Sequence, residues 1–261
     1  MKLFLKNIMV HSLLLFSLTI SAQQQPLSVG WELWYPYQYH NDKQQLVGLD
    51  FEIFNAIIKE ANFSVNYTEL PWKRHLHYIK TGVMDIAMGA SMTKERNTYA
   101  YFSLPYRKET VKLYVKKGNA EKMRLSNLDE LAGSPYMLGV EGGYYYGEDF
   151  NRLIKQTKFQ AQINEVIDIE ENVQLLLKGH IDGFLVDPVT MKAFVSKYKM
   201  QGEFEPHSMS IYSDDIYIMF SKKITNKQTV NSINDAIKKL KENGRIEQII
   251  SNWTELQASN F

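Results

Sequence analysis

The chain has 261 residues, of which 44% are hydrophobic and 23% charged, with 14 Gly and 7 Pro. That composition excludes a disordered, collagen-like or coiled-coil chain and fits one large domain or two small lobes. A formal net charge of +1 implies no basic surface for nucleic acid, and the absence of cysteine removes disulfides, thiolate nucleophiles, zinc fingers and iron–sulfur sites.

Residues 1–22 read as a cleaved secretory signal peptide. Lys2 and Lys6 give a positive start, Leu13, Leu14, Leu15, Phe16 and Leu18 an apolar centre, and Ser21 and Ala22 small residues before Gln23. The apolar run is short for a membrane span, so the remaining chain is expected to be exported, soluble and periplasmic. Short apolar runs then alternate with helical patterns, which predicts an α/β protein. Leu27–Trp31 reads as a strand, Leu49–Ala61 as an amphipathic helix, Phe63–Leu70 as a strand and Trp72–Lys80 as a helix ended by Gly82. Strands follow at Met84–Met88 and Val111–Lys116, a short helix at Ser126–Leu131, and a strand at Tyr136–Val140 that runs into a Gly-rich turn. Glu170–Leu177 reads as a helix closed by Gly179, Gly183–Val186 as a buried strand, and Asp187-Pro188 as the start of another helix, because Pro suits a first helical position. Ile216–Phe220 is the last strand. Val230, Ile233, Ile237 and Leu240, then Ile246, Ile249, Ile250 and Trp253, mark the final helices on either side of Gly244.

One pattern recurs: helix, Gly, Asp, apolar strand, at Tyr78–Met88 and again at Leu175–Val186. Each copy feeds a strand whose carboxyl end meets a polar loop, the end where α/β sheets bind ligands. Several stretches around these copies point the same way. They are Trp34-Tyr35-Pro36-Tyr37, Gly48-Leu49-Asp50-Phe51-Glu52-Ile53, Gly82-Val83-Met84-Asp85-Ile86-Ala87-Met88-Gly89, Ser91-Met92-Thr93-Lys94-Glu95-Arg96 and Phe102-Ser103-Leu104-Pro105-Tyr106. Leu138-Gly139-Val140-Glu141-Gly142-Gly143, Gly179-His180-Ile181-Asp182-Gly183-Phe184-Leu185-Val186-Asp187 and Asn243-Gly244-Arg245-Ile246 continue the series. In this order they resemble the bacterial extracellular solute-binding proteins of family 3, the type II periplasmic binding proteins for polar amino acids, over nearly all of residues 26–255.

The resemblance implies two α/β lobes joined by two crossover strands, near Val111–Lys116 and Ser213–Ile218. Lobe one would be residues 26–112 plus 215–261, and lobe two residues 113–214. It also implies closure of the lobes like a hinge over a small ligand. Arg96 would grip a ligand carboxylate, since a planar guanidinium offers two parallel hydrogen bonds; without the resemblance it reads first as a helix-surface Arg pairing with Glu95 or solvent. Ser91 matches a ligand-touching hydroxyl, and Gly89 a position whose carbonyl can meet an ammonium. Asp187, on the other lobe, would pair with the ligand's ammonium; the alternative is an N-cap for the helix at Pro188, and the two roles are compatible. Trp34 and Trp72 match positions where rings lie over the ligand side chain, and Tyr37 is a third aromatic candidate; core packing is the alternative for all three. The loop Glu141–Gly147 departs from the family: Tyr144, Tyr145 and Tyr146 replace small hydroxyl residues, and Tyr144 either fills part of the pocket or faces solvent.

No metal site is expected, because His75 and His77 face different sides of a helix and the other histidines are scattered. No cofactor is expected either, since no P-loop, dinucleotide fingerprint or nucleophile elbow occurs. The resemblance implies a monomeric receptor that delivers a carboxylate-bearing solute to an inner-membrane ABC permease. Two alternatives stay open: a periplasmic dehydratase, for which Glu141 is the one candidate acid, and a sensor component for a membrane signalling partner.

Overall fold

The computed structural model describes residues 25–259, so the expected signal peptide at 1–22 lies outside the described residues. The chain opens with β1 (Leu27–Trp31), a small ribbon of β2 (Tyr39–His40) and β3 (Leu46–Val47), α1 (Leu49–Glu60), β4 (Val65–Glu69), α2 (Trp72–Thr81) and β5 (Ile86–Ser91). It continues with α3 (Lys94–Tyr99), β6 (Ala100–Phe102), β7 (Arg107–Lys116), a 3-10 turn at Leu128–Glu130, β8 (Leu138–Glu141), α4 (Glu148–Leu153), α5 (Thr157–Gln160) and β9 (Ile163–Val166). The rest is α6 (Ile169–Lys178), β10 (Gly183–Val186), α7 (Pro188–Lys197), β11 (Phe204–Ser221), α8 (Lys227–Glu242) and α9 (Arg245–Ser259).

Local chemistry explains most of these elements. In α1, Ile53, Phe54, Ile57 and Ile58 recur at spacings of three and four and are all buried. Gly82 and Gly179 end α2 and α6 in the left-handed conformation. The Asp187 side chain caps α7 by accepting from the Val189 and Thr190 amides, with Pro188 in the first turn.

One mixed sheet runs β4-β1-β5-β11-β7-β10-β8-β9, with β6 also paired to β11. β1 is parallel to β4 and β5, and β8 is parallel to β9 and β10. The two long strands, β7 and β11, run antiparallel to each other and tie the parallel sets together. β11 is far longer than the expected Ile216–Phe220. Its first part, from Phe204 to about Tyr212, is too polar to read as a strand, although His207 and Met209 alternate inward and Met209 joins the core. β7 likewise begins at Arg107, four residues before its apolar run. α3, β6, α4, α5 and β9 are too short for periodicity to reveal.

The core follows the same division. Two clusters of buried residues draw on residues 27–106 and 216–249, around Ile53, Phe54, Ile86 and Phe220 and around Trp72, Ile79 and Met219. The other two draw on residues 111–209, around Leu113, Leu138, Phe159 and Leu185 and around Leu176, Phe184 and Met191.

At the root of β7, the buried Arg107 guanidinium makes a bidentate ion pair with Asp50, its Nε at 2.5 Å from Oδ1 and its Nη2 at 2.8 Å from Oδ2. The Tyr37 and Trp34 rings lie 4.2 and 5.2 Å from it. Asp50→Ala would leave that cation unpaired in the interior, which typically costs about 3–5 kcal/mol. Urea denaturation at neutral pH is expected to show a loss of that size; a loss below about 1 kcal/mol would mean that the aromatic faces alone sustain the charge.

Candidate functional site

The carboxyl ends of β1 and β5 face the turn after β8 across the space between the two core divisions. Between them lies a narrow pocket lined by Glu32, Trp34, Gln38, Trp72, His75, Gly89, Ser91, Arg96, Glu109 and Tyr144, among others. Its free volume is about 10 Å³, room for about one water molecule.

Arg96 enters this pocket because α3 begins immediately after β5, its first turn held by Thr93, whose hydroxyl oxygen accepts the Arg96 amide at 3.0 Å. Arg96 is 6% exposed, and burial pulls its pKa down. Nη1 donates to the Ser91 carbonyl at 2.9 Å and Nη2 to the Gly143 carbonyl at 3.0 Å. The same Gly143 carbonyl accepts the Trp72 indole N–H at 3.2 Å. Gly143 is therefore a point of contact between the two sides of the cleft. Its φ of +84° and the approach of the Lys73 and Trp72 side chains both favour a residue without Cβ. Gly89 sits at φ +72°, and a Cβ there would come within 3.0 Å of Trp34. Its N–H donates to the Tyr106 hydroxyl at 3.1 Å.

Asp187, 6% exposed, ends β10. Its Oδ1 accepts the Val189 and Thr190 amides, as an N-cap does, and also the Tyr37 hydroxyl at 2.9 Å. Oδ2 has no hydrogen bond among the described residues. Asp187 lines an adjoining space of about 20 Å³ together with Trp34, Glu109, Glu141 and Tyr144. Of the residues singled out from the sequence, Arg96, Ser91, Gly89, Trp34, Trp72 and Tyr144 thus share one pocket, Asp187 lies in the adjoining space, and Tyr37 stands directly behind Asp187.

Tyr144 crosses the cleft. Its hydroxyl donates to Glu32 Oε1 at 2.5 Å, and its ring lies 5.9 Å from Trp34 and 6.3 Å from Trp72. Glu32 Oε2 accepts the Trp72 amide at 2.9 Å. At the rim, Lys73 forms an ion pair with Glu165, so this helix lysine bridges the cleft mouth instead of facing only solvent.

Acids dominate the lining. Burial pushes Glu32 up to about 7, and the Tyr144 hydroxyl and Trp72 amide only partly oppose it. Burial also raises Glu109 to about 7 against the pull of Arg107 and Arg96. Glu141 is raised well above the ordinary carboxylate range, first by burial and then by Glu32, Asp168, Glu170 and Glu109. His75, pushed down to about 4 by burial, is a neutral imidazole with neither ring nitrogen hydrogen-bonded, and Gln38 Oε1 has no donor.

Glu32, Gln38, His75 and Glu109 are pocket residues that the sequence reading passed over. For Glu109 a signal exists: the period-two alternation of β7 buries Arg107, Glu109, Val111, Leu113 and Val115 on one face, so extending it toward the N-terminus turns Glu109 inward. His75 lies three residues after Trp72 on the same face of α2. Glu32 and Gln38 sit in an irregular loop, where no periodicity points inward.

The family model of the bacterial extracellular solute-binding proteins, family 3, matches residues 27–256, and the chain belongs to that family. Among curated proteins it is 24% identical to an arginine-binding periplasmic protein of Mannheimia haemolytica, over 92% of this chain and 95% of the relative. It is 26% identical to a probable histidine-binding protein of Neisseria gonorrhoeae, over 84% of this chain and 78% of the relative. An ancestral arginine-binding protein solved with arginine bound superposes with a TM-score of 0.74 at 23% identity, covering 88% of this chain and 99% of that one, so the two share the two-lobe fold.

A carboxyl whose pKa is higher in the folded than in the unfolded chain favours folding while protonated. Its contribution is fully present below the unfolded value and fades as pH rises to the folded one, here from about 4.5 to about 7 for Glu109. Glu109→Gln is therefore expected to match the parent protein near pH 5 and to exceed its unfolding free energy at pH 8 by on the order of 1–3 kcal/mol. Parallel denaturation curves at the two pH values check this; equal stability of the two proteins at pH 8 would remove Glu109 from the strained acids of the cleft.

Proposed function

We propose that this chain is an exported, periplasmic receptor that closes on an α-amino acid with a planar cationic side chain, arginine foremost, and presents it to an inner-membrane ABC permease. The observation that carries the reading is the surplus of acceptors in the cleft. Glu32, Glu109, Glu141 and Asp187 gather there, Gln38 Oε1 lacks a donor, and of the two buried guanidiniums Arg107 is already committed to Asp50. A guest rich in N–H donors and carrying positive charge satisfies such a lining, and a dry cleft strengthens each contact. Arg96 keeps N–H groups beyond the two already bonded for the guest's carboxylate, and Asp187 Oδ2 is open for its ammonium. The relatives named for arginine and histidine binding support the same class. The division into residues 26–112 with 215–261 and residues 113–214 belongs to this reading and is supported by the separation of the buried clusters.

Glu141 keeps the dehydratase reading in view, because a carboxyl held protonated is what a leaving hydroxyl needs. Release of water from a candidate hydroxy acid by the purified protein would favour it.

In a thermal-shift screen, L-arginine at a hundred times its Kd adds about 2.7 kcal/mol of stability, a rise of roughly 5–10 °C for a chain of this size. A response to acidic amino acids or uncharged sugars and none to basic amino acids would sink the assignment. Arg96→Ala is expected to weaken binding by about 30-fold to several thousand-fold, the loss of one partner of a desolvated charge pair being ~2–5 kcal/mol. Calorimetric titration of that variant with arginine measures it.

A further inference from the structure

We propose that Gly143 and Tyr144 act as an internal guest, holding the receptor shut on itself until an external one displaces them. The inference rests on the reading that Arg96, Trp34, Trp72 and Glu32 form the amino-acid site, and it concerns how that site is regulated.

Two groups of the loop after β8 reproduce what an amino acid offers. The Gly143 carbonyl takes the Arg96 Nη2 donor and the Trp72 indole donor, so an oxygen acceptor already sits in front of the guanidinium. Tyr144, the next residue, lays a planar ring against Trp34 and Trp72 and ends in an O–H that donates to Glu32. An acceptor at one end, a flat group flanked by two indoles, perpendicular to Trp34 and tilted against Trp72, and a donor onto a carboxylate at the other: this is also the order of groups in an α-carboxylate with a planar cationic side chain.

Packing supports the same conclusion. Tyr144 packs against buried clusters on both sides of the cleft, around Leu138 and Phe159 on its own side and around Trp72 and Ile79 on the other, and no other described residue belongs to a cluster on each side. With Tyr144 in place, the pocket has room for about one water, too little for any amino acid. An incoming guest therefore has to eject the tyrosine. Only a guest that supplies both ends, the carboxylate and the donor-bearing planar group, regains every contact it breaks. Acidic or small neutral amino acids leave Glu32 Oε1 without a donor.

The test compares ligand-free and arginine-saturated protein by small-angle X-ray scattering, with circular dichroism to confirm folding. The parent protein is expected to have the same radius of gyration with and without arginine, and ligand-free Tyr144→Ala a larger one that arginine restores. If the self-closed form holds about 90% of ligand-free molecules, the variant binds arginine about tenfold more tightly, because the binding-competent fraction rises from about a tenth to nearly all. Tyr144→Phe, which keeps the ring and loses only the bond to Glu32, should fall between the two, and it serves if the alanine variant does not fold. A ligand-free parent as expanded as Tyr144→Ala, or an alanine variant that binds arginine more weakly than the parent, overturns the internal guest. If Tyr144→Ala expands but arginine affects neither protein, the internal guest stands and the arginine reading fails.

Discussion

A guanidinium with almost no access to water anchors the architecture of the site. Arg107 lies at the start of β7, and four things are fixed by reference to it: the first turn of α1 through Asp50, the aromatic loop through Trp34 and Tyr37, the Tyr106 ring, and, through the Tyr106 hydroxyl, the Gly89 amide. Moving such a charge out of water is costly, so it stays only where its hydrogen bonds are met and apolar faces close over it. Once that condition is satisfied, the loop from Trp34 to Gln38 has little freedom. Tyr37 is then directed at Asp187 on the far side of the cleft.

The chemistry of the cleft follows from an imbalance. Carboxylates outnumber the cations left to meet them, and burial denies them water. Burial raises the pKa of Glu32 and Glu109, and the chain supplies donors of its own to the cleft, the Tyr144 and Tyr37 hydroxyls and the Trp72 amide. On the internal-guest proposal, ligand capture exchanges this network for another, and selectivity depends on how completely the newcomer replaces what it removes.

Much of the fold was legible in the sequence, and the reasons are physical. Beyond its first turn, where Asp50 is buried against Arg107, α1 has apolar residues at its buried positions, and the Gly-Asp-strand signature repeats where β5 and β10 lie. Arg96 and Asp187 stood out in the sequence through the family resemblance, each after an apolar strand at a turn, and both are buried in the cleft. The first part of β11 was not legible, since one of its two inward-facing residues is the polar His207 and only Met209 is apolar. Nor was the acidity of the cleft. Glu32 lies between an interior Trp31 and an exposed Leu33, and only the tertiary approach of Tyr144 reveals which way it faces. Tyr144 itself was readable as a departure from the family, but its destination depended on a partner 112 positions away.

The long strands have a mechanical consequence. β10 joins β7 at Lys112, and β5 joins β11 at Ile216; between those points the register pairs Lys108 with Asp215, Glu109 with Asp214, Thr110 with Ser213 and Val111 with Tyr212, with no further strand on either flank. The sheet narrows there to a neck two strands wide, which twists more readily than the broad sheet on either side. Rotation of one half against the other would turn on this neck. Glu109 is mounted there and lines the pocket, so such a rotation would carry its carboxyl toward or away from whatever charge lies inside.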